Sequence, residues 1–177
     1  LWPKFIWVKK ALHSGWHLFV FSAAGSVYST ANILILSLFV SPAQVGYYGG
    51  ADRIHKAFTS AFGPIGQAFY PHITRTLLDK KEKGLRDAKR ALYIMTALGI
   101  LMGLTVGLAA SFWVKIFLGI KYSASIPVLI ILSLQLPLTG ISRVLGVQWM
   151  LPLNMDRSFT IIVILAGLLN IGLASIL

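Results

Sequence analysis

Apolar residues dominate this chain in long blocks, and the blocks set its elements. Ala11–Ala51, Ala91–Val114 and Ser158–Leu177 contain no Asp, Glu, Lys or Arg. Each is long enough to cross the ~30 Å hydrocarbon core of a bilayer as a helix. A fourth such run, Tyr122–Ser142, is interrupted by Pro127 and Pro137. The expected spans are about 16–40, 91–113, 122–149 and 158–177. Between the first and second of these lies a segment that hydropathy alone would miss. At about 100° per residue, Ile54, Phe58, Ala61, Phe62, Ile65 and Phe69 cluster on one face. Asp52, Arg53, Lys56, Thr59, Ser60, Gly63, Gln67 and Tyr70 gather on the other. This pattern predicts a further span over about 43–71, kinked at Pro64, with one face toward lipid or neighbouring helices and one toward water.

Residues 1–15 mix Lys4, Lys9 and Lys10 with Trp2, Phe5, Trp7 and Leu12, the layout of a basic interfacial segment. The stretch 72–90, with seven Lys/Arg and three acids, reads as an exposed hydrophilic connection. A short turn is expected over 114–121 and a loop over 152–157. With five crossings, segments 1–15, 72–90 and 142–157 share one side and carry twelve Lys/Arg, whereas 41–50 and 114–123 carry two. The positive-inside rule therefore puts 1–15 and 72–90 in the cytoplasm. The same count requires the 43–71 helix to cross, because without it the uncharged and the basic connection would lie on one side.

Composition agrees with this class. Only 12% of the residues are charged, against about a quarter in soluble domains. There is no cysteine, which excludes disulfides and thiolate metal sites. The chain is expected to be a piece of a larger protein, since it lacks an initiator Met and stops at Leu177 inside an apolar run.

Candidate chemistry gathers at Asp52-Arg53-Ile54-His55-Lys56. Ionisable groups at bilayer depth cost roughly 2.5–3.5 kcal/mol each on insertion scales and usually face a hydrated, functional cavity. Asp52 and Lys56 are spaced i, i+4 with the acid N-terminal, the favourable order for an ion pair. Arg53, about 100° away, is then left with net positive charge suited to a phosphate or diphosphate. The plainer alternative is an interhelical ion pair that fixes packing. Gln67 and Tyr70 continue the polar face and suit either a sugar or water. Gln135, Thr139, Ser142 and Arg143 share a face of the fourth span, where Arg143 suits either the same cavity or the headgroups. Ser22, Gly25, Ser26 and Ser29 form a small-residue stripe that suits close packing, and Asn32 needs a polar partner. His55 and His72 are read as proton-relay candidates or satisfied polar groups. Paired carboxylates, metal-ligand spacings, a nucleophile triad and a phosphate-cradling Gly loop are all missing, so neither enzyme chemistry nor a cofactor is expected. Bases beside membrane spans do not suit nucleic acid.

Gly46-Tyr47-Tyr48-Gly49-Gly50-Ala51-Asp52-Arg53-Ile54-His55-Lys56-Ala57 resembles the GYY–x–x–AD(K/R)I–x–x–A element of Wzx-type polysaccharide flippases. Pro64-Ile65-Gly66-Gln67-Ala68-Phe69-Tyr70-Pro71 is similar to that family's P–(I/L)–x–Q–A–x–(Y/F)–P continuation. Gly15-Trp16-His17-Leu18-Phe19, Leu151-Pro152-Leu153 and Asn170 extend the resemblance over nearly the whole chain. It implies the multidrug/oligosaccharidyl-lipid/polysaccharide exporter superfamily and an all-α integral membrane fold. About five transmembrane helices would form an incomplete six-helix lobe, most of the second lobe of a two-lobe transporter. The implied activity is movement of undecaprenyl-diphosphate-linked oligosaccharide across the bacterial inner membrane by alternating access. Implied partners are that lipid-linked oligosaccharide, membrane lipids and other polysaccharide-assembly proteins. Arg53 and Lys56 would then meet the anion, Asp52 would tune their charge, and Gln67, Tyr70 and Arg143 would complete the substrate site. A cation-coupled drug antiporter of the same superfamily and a non-transport assembly subunit are the alternatives.

Overall fold

The computed structural model describes residues 33, 34, 36–153 and 155–176. The interfacial segment 1–15 and most of the first expected span, with its Ser/Gly stripe and Asn32, lie outside the described residues. Among the described residues the chain is helical, with no strand. Chain contacts divide it into two units, residues 42–165 and residues 1–41 with 166–177. In the latter, residues 36–39 and 166–176 are helical.

The larger unit begins with α1 (Pro42–Ser60) and α2 (Phe62–Asp79). Pro42 opens α1, where its missing N–H costs nothing. The expected kink is present as a break at Ala61, whose N–H reaches back only three residues to Phe58 O (3.1 Å). Pro64 explains it, because a proline cannot donate to the carbonyl four residues earlier, that of Ser60. The apolar stripe faces inward as its period requires. Ile54 and Phe62 are buried, and Phe58, Ile65 and Phe69 pack against the core.

The structure corrects the expectation of an open connection over 72–90. Helix α2 runs on to Asp79, Lys80 alone is extended, and α3 (Lys81–Leu108) starts at once. Lys80 N–H donates to Thr76 O at 2.9 Å, and Gly84 N–H donates to Lys80 O at 3.0 Å. The physical reason is a seam beneath the charges, in which Ile73 and Leu77 are buried together with Ala88 and Ala91. Gly84 brings the two helices so close that a Cβ there would lie 2.5 Å from Leu77 Cα. The basic side chains occupy the outside of a helical hairpin.

After a break at Ala109 come α4 (Ala110–Phe117) and a 3-10 turn at Ile120–Tyr122, so the turn expected over 114–121 begins only after α4. Gly119, at φ 86°, ends α4, a conformation that side-chain-bearing residues rarely adopt. The next rod contains α5 (Ser125–Ser133), α6 (Gln135–Arg143) and a π-helical turn at Val144–Met150, α-π1 below. Helix α7 (Asp156–Ile176) follows. Glu82–Leu108 and Ser125–Met150 are long and apolar enough to cross a bilayer, and Arg157–Asn170 is a shorter apolar helix. Their outer faces display Ile94, Leu101, Leu104, Ile131, Leu138 and Ile164. A surface this apolar belongs in lipid, so the chain is an all-α integral membrane protein.

One contact joins the two rods. On α3, Met95, Gly99, Gly103 and Gly107 recur every four residues and form a single stripe. A Cβ on Gly99 would lie 2.7 Å from Pro137 Cα, and one on Gly103 2.9 Å from Ser133 O. On the opposite rod, Gly140 reciprocates, since its Cβ would lie 2.5 Å from Met95 O. Small residues in membranes permit this close approach of backbones. We expect Gly140→Ala to destabilise the full-length protein by about 1–3 kcal/mol, the usual range for overpacking. Gly49→Ala, which meets nothing within 4 Å, should change much less. Detergent-solubilised unfolding curves of the two variants, compared with wild type, check this.

Candidate functional site

The motif around Asp52 divides by face. Tyr47, Gly50, Ala51 and Ile54 hold α1 in place. Ser125 Oγ donates to Tyr47 O at 2.8 Å, joining the start of α5 to α1. The Tyr47 ring meets Tyr122 edge-on at 5.9 Å. Gly50 packs on the Leu118 side chain, and Ala51 is fully buried. Deeper along the helix, Phe58 and Trp113 meet edge-on at 5.1 Å.

The charged residues point elsewhere. Lys56 Nζ and Asp52 Oδ2 lie 2.7 Å apart, with Asp52 mostly covered and Lys56 half exposed. Arg53 is exposed on α1. His55 is buried, with Thr59 Oγ1 donating to its carbonyl at 2.9 Å. His72 Nε2 lies 3.2 Å from Asp87 Oδ2, linking α2 to α3 within the hairpin. On α3, Lys83, Arg86, Asp87 and Arg90 line a hollow of about 230 Å³.

A larger cavity, about 320 Å³, opens between α2 and the end of the second rod. Its wall consists of Gly63, Gly66, Gln67 and Tyr70 from α2, with Arg143, Val147 and Gln148 opposite. The structure thus brings Gln67, Tyr70 and Arg143 together. Asp52, Arg53 and Lys56 stand outside this wall, on α1 before the break at Ala61. Of the polar residues grouped with Arg143, Thr139 Oγ1 donates to Gln135 O (3.0 Å) and Ser142 Oγ donates to Thr139 O (3.0 Å). Those hydroxyls serve their own helix.

Gln148 is the wall residue that periodicity did not single out. In an α-helix it would stand roughly 140° around the axis from Arg143 at about 100° per residue. In α-π1 the hydrogen bonds reach five residues back, as Leu151 N–H does to Gly146 O (3.3 Å). Residues i and i+5 then share a face, so Arg143 and Gln148 align. Gln148 is only 2% exposed. Its Nε2 donates to Gly66 O at 3.2 Å, which fixes the orientation of the amide. Its Oε1 is buried without a hydrogen-bond partner, an arrangement that costs about 1–3 kcal/mol while it lasts. Glycines at 63 and 66 leave room for the cavity; a Cβ at Gly66 would lie 3.4 Å from Gln148 Nε2.

The wall therefore combines one cation, two carboxamides and one phenol on an otherwise apolar frame. Such a site suits a ligand with an anionic part and a neutral hydrogen-bonding part. Among the described residues, no cluster of His, Cys, Asp or Glu could hold a metal ion.

Comparison with known proteins bears on this arrangement. Residues 5–77 match the family model described as polysaccharide biosynthesis protein. That match contains the Asp52 cluster, Gln67 and Tyr70. An Escherichia coli K12 protein named as a candidate O-antigen transporter is 37% identical over 164 residues, covering 93% of this chain and 40% of the relative. A Shigella dysenteriae protein of the same name is 28% identical over 164 residues, covering 91% of this chain and 40% of the relative. The chain thus spans about two fifths of the length of these curated relatives. No solved structure matches it. Together, the matched segment, the alignment of 37% identity over nearly all of this chain and the motif residues on α1 and α2 make the chain similar to polysaccharide biosynthesis proteins and to relatives named as candidate O-antigen transporters, in line with its resemblance to Wzx-type polysaccharide flippases.

Proposed function

We propose that this chain forms part of a flippase that carries undecaprenyl-diphosphate-linked oligosaccharide repeat units across the bacterial inner membrane by alternating access. The observation that carries this reading is the mixed cavity of Gln67, Tyr70, Arg143 and Gln148 in a chain related to O-antigen transporters. The names of those relatives support a part in polysaccharide export. Arg53, and in turn Arg143 in the cavity, offer the diphosphate charge-assisted hydrogen bonds as the cargo moves. Lys56 is already engaged by Asp52, so Arg53 is the freer cation of α1. Gln67 and Tyr70 supply neutral contacts for sugar. An antiporter driven by protons or cations would call for a carboxylate in the cavity, and among the described residues the wall contains none.

In the full-length protein, Arg53→Lys should retain surface-polysaccharide output, whereas Arg53→Ala and Arg53→Gln should weaken cargo binding about tenfold or more and lower output. Immunoblots of membrane fractions control for expression. Unchanged output in all three variants would remove Arg53 from the site.

From the excess of Lys and Arg we infer that the α2–α3 hairpin lies in the cytoplasm. In a cysteine-free full-length background, Lys83→Cys should react with a membrane-impermeant maleimide only after the membrane is permeabilised. Lys121→Cys should react in intact spheroplasts. The reverse pattern would invert the proposed orientation.

A further inference from the structure

The unsatisfied oxygen of Gln148 asks for a particular chemistry. Oε1 of a carboxamide is an acceptor only, so its partner must bring an O–H or N–H. An ionised phosphate offers neither, and Arg143 across the same wall is its natural contact. Sugar hydroxyls are donors. The cavity, at about 320 Å³, is at the small end of ligand sites and suits one sugar-sized group rather than a whole repeat unit. Gln67 and Tyr70 line it beside Gln148 and can donate to or accept from the same ring.

We propose that Gln148, carried into the cavity by α-π1, is a specificity-determining residue that accepts a hydrogen bond from a hydroxyl of the transported glycan. This rests on the flippase reading above. The π turn places Gln148 in the wall and the Gly66 carbonyl takes its amide N–H, which leaves the covered Oε1 as an unpaired acceptor that a cargo hydroxyl reaches when the side chains over it give way. A buried acceptor fixed in this way discriminates strongly, because a cargo without the matching donor leaves it unpaired.

The test uses the full-length protein in nanodiscs with two probes, glycan-free undecaprenyl diphosphate and the lipid-linked oligosaccharide extracted from producing cells. The readout is the ratio of their affinities. Gln148→Met should weaken binding of the glycan-bearing lipid about tenfold more than binding of the glycan-free lipid, the value of one hydrogen bond. Gln148→Glu, which keeps an acceptor oxygen at the same reach but gives up the donor to Gly66, should preserve the preference for glycan. Equal weakening of both lipids by Gln148→Met, or loss of the preference in Gln148→Glu, would show that only the link to Gly66 matters and would overturn the proposal. If Gln148→Met does not fold, the ratio in Gln148→Glu decides alone. Wild-type protein that binds neither lipid would instead bring down the flippase reading, and the inference with it.

Discussion

The rest of this structure depends on the backbone contact between α3 and the α5–α6 rod. Gly99, Gly103 and Gly107 present a strip without side chains, and the other helix lays Ser133, Leu136 and Pro137 along it. In lipid there is no hydrophobic force to press two apolar helices together, so close packing has to supply the attraction. Pro137 adds to this contact. Having no N–H, it leaves the Ser133 carbonyl without its usual helical donor, and that carbonyl faces Gly103. The same proline that weakens one helix thereby shapes its seat against another.

Because α3 is also one arm of the hairpin with α2, fixing α6 on α3 brings the end of the second rod opposite Gly63–Tyr70. The cavity is the gap left between them. Its wall is assembled from places where regular helix is interrupted: Gly63 and Gly66 near the break at Ala61, and the π turn at Val144–Met150. Irregular backbone at membrane depth is tolerated where it lines a polar cavity rather than lipid. Fold and site are thus linked, since the interruptions that lower helical regularity are the ones that expose polar groups inward.

The sequence revealed this structure unevenly, for physical reasons. The i, i+4 spacing of Asp52 and Lys56 indicated the ion pair, and the apolar period from Ile54 to Phe69 indicated the buried face. Gln67, Tyr70 and Arg143 were legible as cavity candidates from their faces. The hairpin over 72–90 was not, because its charges mask a seam of only four apolar positions, Ile73, Leu77, Ala88 and Ala91. Gln148 escaped because helical projection assumes a constant angle per residue, and the π turn breaks that assumption. The four-residue spacing of Gly99, Gly103 and Gly107 was a readable signal, hidden among residues that hydropathy counts only as apolar.

Within the proposed function, the separation of charge along α1 and α2 has a consequence. Lys56 and Gln67 are eleven residues apart on one polar face, roughly 16 Å of helix at 1.5 Å per residue. The cationic cluster and the mixed cavity therefore cannot both contact a compact ligand. An elongated amphiphile, anionic at one point and hydroxyl-rich over the rest, can meet them in turn as it moves along the face. On that proposal the ion pair of Asp52 with Lys56 would keep the cluster from holding an anion too tightly. A carrier must release what it binds, and a cluster of two unpaired cations would oppose that step.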